Sequence, residues 1–144
     1  MPLKNNQALY FSYHDVAFRL QDPLYIKSAL AAVLAAEAVA FSRIGYIFCT
    51  DNYLLKLNQE FLSHDTYTDI LTFTLSLPSK PVVSEIYISI ERVQENADAL
   101  GVSFREELYR VMIHGILHLC GYTDATPEKK AEMREREDFY LKSF

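Results

Sequence analysis

The sequence predicts an α+β domain, a mixed β-sheet of about four strands with helices packed on it. Three observations predict that class. Short β-branched and aromatic runs recur at 8–14, 43–50, 69–76 and 83–90. Longer stretches that begin with capping residues and stop at glycines separate them. No repeat, low-complexity tract or long linker interrupts the 144 residues. A chain of that length fits one domain, here 1–144, and buries a core without disulfide staples.

The first strand is ALYFSYH (8–14). Asp22-Pro23 opens a helix, with Asp at the N-cap and Pro at the first helical position, where a missing N–H costs nothing. The alanine-rich segment continues that helix to about Phe41. RIGYIFCT (43–50) is a short buried strand, and Thr50 or Asp51 caps a helix through about Phe61. After the polar SHDTYT stretch, Ile70, Thr72 and Thr74 alternate with Leu71, Phe73 and Leu75, the period of a strand. VSEIYISI (83–90) is the fourth strand. Residues 91–100 form a helix stopped by Gly101. Ser103 and Glu106 have the spacing of a capping box for a helix ending at Cys120 and Gly121. Thr126-Pro127 starts a last helix to about Leu141, charged and read as exposed.

Composition narrows the function classes. Half the residues are hydrophobic and 23% are charged, which excludes long disorder. The net charge is −5. Proteins that hold nucleic acid by general phosphate neutralisation are usually basic, so any RNA partner must be met by a metal or a small basic patch. Cys49 and Cys120 make no disulfide framework and point to a reducing compartment. The N-terminus lacks a basic region followed by an apolar run. The longest apolar stretch, ALAAVLAAEAVAF, is broken by Glu37 and too short for a membrane span. A soluble, cytoplasmic protein is expected.

The chemistry concentrates in VMIHGILHLCG (111–121). His114 and His118 lie only about 40° apart on a helical wheel, so both rings project from one side. The rest of the circumference is apolar, and a helix apolar nearly all round is buried. Buried imidazoles need partners, since an unsatisfied polar group costs about 1–3 kcal/mol. One divalent ion satisfies both, and His at i, i+4 is a common zinc-binding pattern on a helix. Gly121 can turn the chain back beside His118, and Asp124 then offers a third ligand. Two His and one Asp leave a position open for water, the arrangement of a catalytic site. The alternative is two core histidines bonded to backbone carbonyls or to Asp or Tyr side chains. Cys120 falls on the far side of the wheel, and His14 and His64 are read as surface residues.

These residues resemble a family. HGILHLCGYTD is similar to His-Gly-x-Leu-His-Leu-x-Gly-Tyr-Asp-His, the signature of the YbeY endoribonucleases of rRNA maturation. LNQEFLSHDTYTDILTF (57–73), EIYIS (85–89) and Glu107-Leu108 follow that family's other segments in order and spacing. The resemblance implies a zincin-like metal site, single-strand-specific RNA cleavage, and roles in 16S rRNA 3′-end maturation and ribosome quality control. It also implies an rRNA precursor as partner, with ribosomal proteins or the ribosome beside it. Three positions depart from the family. Asp124 replaces its third His, Leu62 replaces an Arg, and Ser84-Glu85 replaces Gly-Asp.

The implied mechanism is metal-assisted phosphodiester hydrolysis with metal-bound water as nucleophile. A divalent ion lowers the pKa of its water from about 15.7 to roughly 7–9. Zinc is the expected ion, although the carboxylate makes the choice among Zn, Mn, Ni and Fe less sharp. The Thr68-Asp69 match makes Asp69 a candidate base or positioning group, or else a strand-entry residue. Glu107 is expected to face solvent or pair with a cation. Lys129, Lys130, Arg134 and Arg136, set among Glu128, Glu132, Glu135 and Glu137, read as a solvated face laced with i, i+4 pairs. Rival readings are a non-catalytic assembly factor, a metallopeptidase and an iron oxygenase. Gly115, where HExxH peptidases carry Glu, opposes the second, and the helical His pair opposes the third.

Overall fold

The computed structural model describes residues 7–62 and 68–144. Its elements are β1 (Ala8–Tyr13), α1 (Pro23–Ala36), β2 (Phe41–Cys49), α2 (Asp51–Leu62), β3 (Ile70–Thr74), β4 (Val82–Ser89), α3 (Ile90–Leu100), α4 (Phe104–Leu119) and α5 (Pro127–Leu141). This is the expected order. The strands form one mixed sheet in the order β1-β2-β4-β3. β1 and β4 flank β2 in parallel, while β3 pairs antiparallel with β4 and forms an edge.

Strand alternation gives the sheet two apolar faces. Ile86 and Ile88 of β4 join the main core with Ile26, Leu30 and Leu34 of α1 and Met112, Ile113 and Ile116 of α4. Tyr87 points the other way, against Leu54 and Leu57 of α2 and Leu71 of β3. Each fully buried Leu or Ile of this kind contributes about 1.5–3 kcal/mol. α4 crosses β3 and β4, with α3, α5 and α1 beside it. Tyr46, wholly buried on β2, donates its hydroxyl to the Met112 carbonyl at 2.7 Å and ties the sheet to that helix.

Most caps follow the sequence. Thr50 Oγ1 accepts from the Tyr53 amide, and Thr126 Oγ1 from Lys129, each at 3.1 Å. Ser103 Oγ accepts from the Glu106 amide at 3.1 Å. The reciprocal bond from the Glu106 side chain, expected of a full capping box, is not formed among the described residues.

Two expectations about α1 are corrected. Asp22 takes the left-handed conformation, and its side chain makes no cap bond; its carbonyl instead accepts from the Ile26 amide at 3.1 Å. The helix ends at Ala36, not near Phe41, because Ala38 adopts φ 57 and turns the chain into β2. At that C-cap the Glu37 carboxylate accepts hydrogen bonds from Tyr122 and Tyr140 on distant elements, contacts that hold the exit in place. Alanine favours continuation, so composition gave no warning.

Among the described residues no helix is long and apolar enough to cross a membrane. Cys49 and Cys120 are free thiols, buried and half-buried.

Candidate metal centre

Packing holds the His-bearing helix in place. Val111, Met112, Ile113, Gly115, Ile116 and Leu117 are all buried. Gly115 permits the closest approach. A Cβ there would lie 3.0 Å from Ile70 Cδ1 and 3.2 Å from Ile86 Cγ2, so the missing side chain lets α4 settle onto β3 and β4.

The third donor arrives by a chain reversal. Gly121 adopts φ 99, a left-handed conformation that suits glycine. The Gly121 amide donates to the His118 carbonyl and the Tyr122 amide to the Leu117 carbonyl, both at 3.1 Å. This Schellman pattern folds the following residues back over the last turn. Asp124 Oδ2 comes to 3.8 Å from His114 Nε2. His118 Nε2 lies 2.9 Å from His114 Nε2. One ligand atom from each of the three residues lies within 4.8 Å of the others. The structure therefore brings together the three residues singled out in the sequence.

The donor set fits a divalent ion. Tetrahedral zinc with bonds of about 2.0–2.2 Å places ligand atoms roughly 3.3 Å apart, within the range seen here. His114 Nδ1 faces Glu137 Oε2 at 2.6 Å. Donation of the Nδ1 proton to that carboxylate turns an Nε2 lone pair toward His118. Two facing nitrogen lone pairs at 2.9 Å repel each other unless a proton or a cation lies between them.

Glu137 is the main site residue that sequence reasoning missed. It was assigned to a solvated face, yet it is 5% exposed. Arg110 Nη1 donates to its other oxygen at 3.2 Å, and Nη2 donates to Asp138 at 2.7 Å. A signal was present: Met133, Glu137 and Tyr140 have the i, i+4, i+7 spacing of a buried stripe on an otherwise charged helix, and all three are buried. The expected i, i+4 ion pairs are also absent from α5 among the described residues. The one ion pair within it joins Arg134 to Glu137, at 4.0 Å.

A cavity of about 660 Å³ opens beside the donors, lined in part by His114, Asp124, Asp69, Glu107, Arg110 and Glu137. Glu107, expected at the surface or in a salt bridge, is 6% exposed and forms no ion pair among the described residues. It shares the cavity wall with Asp69 and with Arg134 of α5. Burial raises its pKa, and the nearby Asp69 charge raises it further. Asp69 stands at the entry to β3. Its carbonyl accepts from the Ser89 amide at 3.0 Å, and its carboxylate accepts from Asn96 Nδ2 at 3.3 Å. Burial raises its pKa, with His114 partly offsetting the effect.

The two imidazoles are driven apart. Burial disfavours charge on His114, but the bond and charge of Glu137, with Asp69 and Asp124, outweigh it and hold its pKa above the ordinary value. Burial and the His114 charge lower that of His118. Cys120 is half-buried against the core and outside the donor set. His14 is exposed beside Asp15 and Tyr53. His64 lies outside the described residues. Leu62 is 41% exposed at the end of α2.

Comparison with known proteins gives the family. The family described as Endoribonuclease YbeY matches residues 17–144. A protein of that name from Flavobacterium psychrophilum is 46% identical over 134 residues, covering 93% of this chain and 94% of the relative. Another of that name, from Amoebophilus asiaticus, is 43% identical over 141 residues, covering 98% and 94%. The solution structure of a Thermotoga maritima protein superposes with a TM-score of 0.66 at 28% identity, covering 94% of this chain and 88% of that one. The chain belongs to the endoribonuclease YbeY family.

Proposed function

We propose that residues 1–144 form one YbeY-like hydrolase domain, a zinc-dependent endoribonuclease that cuts single-stranded rRNA precursor at the 3′ end of 16S rRNA and serves ribosome quality control in the cytoplasm. Family membership supports the reaction class. The observation that carries the reading is the meeting of two imidazole nitrogens and one carboxylate within 4.8 Å, beside an open cavity.

His114, His118 and Asp124 are the proposed ligands. When bound, the ion supplies Lewis acidity toward phosphate and makes hydroxide accessible near neutral pH. Glu137 orients the His114 ring through Nδ1 and fixes its tautomer. Asp69 is the proposed proton-handling group. It lines the same cavity, where burial raises its pKa above the ordinary carboxylate value, the direction that favours proton exchange by a carboxyl. Asn96 holds the Asp69 carboxylate in position. Ile70, Val111 and Met133 form the apolar part of the wall and limit water there.

Cleavage of a single-stranded rRNA 3′-precursor by zinc-loaded protein, compared with His114→Ala, tests the proposal. The parent should cut and the variant should leave the strand intact. Equal background cutting by both would remove the catalytic reading and leave an RNA-binding assembly role.

A further inference from the structure

We propose that Lys130 and Arg134 form a phosphate subsite for the RNA strand on the α5 wall of the metal-site cavity. This inference rests on the endoribonuclease reading above and adds the direction from which the strand is held.

One face of α5 fronts that cavity. Pro127, Lys130, Ala131, Arg134 and Glu137 all line it, at the three- and four-residue spacings of a single helical stripe. His114 and Asp124 line the same space. Three cations reach the cavity, and they differ in what already holds them. Arg110 is committed to Glu137 at 3.2 Å and Asp138 at 2.7 Å. Arg134 touches Glu137 only at 4.0 Å, and Glu137 is already engaged by Arg110 and His114. Lys130 forms no ion pair among the described residues. Two exposed cations, holding between them only that one long ion pair among the described residues, thus border the centre where a phosphodiester must sit.

The carboxylates in the cavity are occupied or covered. Asp124 belongs to the donor set, Asp69 is held by Asn96, and Glu107 is buried. On the other side of the donors the surroundings change. A second cavity of about 310 Å³ reaches His118 and is lined by Ile70, Leu71, Thr72, Thr74 and Leu119, with no charged side chain apart from the histidine among the described residues. A chain of net charge −5 cannot attract RNA by its overall field. Its salt-dependent grip must come from a local cluster, and among the described residues that line the two cavities the cationic side chains stand on the α5 side. A strand crossing the donors would then have a phosphate held near α5 and uncharged contacts near β3.

The test measures binding of a short single-stranded oligoribonucleotide by fluorescence anisotropy across a salt series. Zinc-loaded protein is used with a 2′-O-methyl strand, which resists cleavage, so that the probe is not consumed. Counterion release contributes a slope of about 0.7 per phosphate contact on single strands. Lys130→Gln and Arg134→Gln should each weaken binding about fivefold at ~0.1 M salt, and the double variant should lower the slope by about 1.4. Lys129→Gln with Lys142→Gln removes the same charge from exposed positions outside the cavity and should leave affinity and slope at the parental values. Equal losses in both double variants would overturn the subsite in favour of a diffuse charge effect. So would a parental slope in Lys130→Gln/Arg134→Gln, or no salt-dependent binding by the parent. Cleavage by zinc-loaded parent, run in parallel, separates the two proposals. Parental cutting with an unaltered slope in the variants sinks the subsite alone, whereas binding losses with no cutting by the parent sink the enzymatic reading alone.

Discussion

His114 Nδ1 and Glu137 Oε2 lie 2.6 Å apart, although 23 residues separate them in the chain. A charge-assisted bond of that length, inside a packed wall, fixes both the rotation and the tautomer of the ring. Arg110 shares the carboxylate, so the contact couples α4 to α5 through the candidate metal ligand.

Glu137→Gln keeps the shape and one acceptor oxygen but removes the charge. Zinc affinity, measured by chelator competition, should fall about 10–100-fold. The loss of a charged partner for Arg110 should cost about 1.5–3 kcal/mol in chemical denaturation. An unchanged zinc affinity beside that stability loss would assign Glu137 to structure only.

Asp124 is half-exposed, with 47% of its side chain open to solvent, so its removal should spare the fold. Protein purified without added metal should carry about one divalent ion per chain by elemental analysis. Asp124→Ala should lose most of it, the metal-free parent and variant should melt alike, and Asp124→His should regain the ion. Full occupancy in Asp124→Ala would exclude the carboxylate as a ligand.

Glu107 sets a pH dependence whose sign follows from its environment. Burial, and then the Asp69 charge, raise its pKa in the folded state. The native state therefore holds the proton at pH values where the unfolded chain has lost it. Stability from this group is complete below the unfolded pKa and declines as pH rises through the folded one. Glu107→Gln should melt higher than the parent at about pH 7, and the gap should close near pH 4. A gap that persists at the acidic end would mean that the gain comes from packing rather than titration.

At Gly115 two effects compete. Alanine improves helix propensity by roughly 1 kcal/mol. Its Cβ, however, would sit 3.0 Å from Ile70 and 3.2 Å from Ile86, and such overpacking costs about 1–3 kcal/mol. Gly115→Ala should be destabilised by about 1 kcal/mol in urea titration. A stabilised variant would show that the isoleucine side chains can retreat without cost.

The element order, most capping residues and the His114, His118 and Asp124 trio were legible in the chain itself. Each rests on local rules: period-two alternation in Ile70–Thr74, hydroxyls at 50, 103 and 126, two histidines one turn apart, and a glycine where the chain must reverse. Such signals lie within a few residues of what they determine.

Distant contacts decided the rest. α1 ends at a Glu37 whose carboxylate is held by Tyr122 and Tyr140 from the far end of the chain. Glu107 and Glu137 look like solvated charges on their own helices, yet tertiary packing leaves both buried, and Glu137 meets His114 across α4 and α5. Pairing depends on what other elements place nearby: the wheel of α5 carries a trace of the Glu137 burial in its Met133, Glu137 and Tyr140 stripe, but not the partner that the side chain meets.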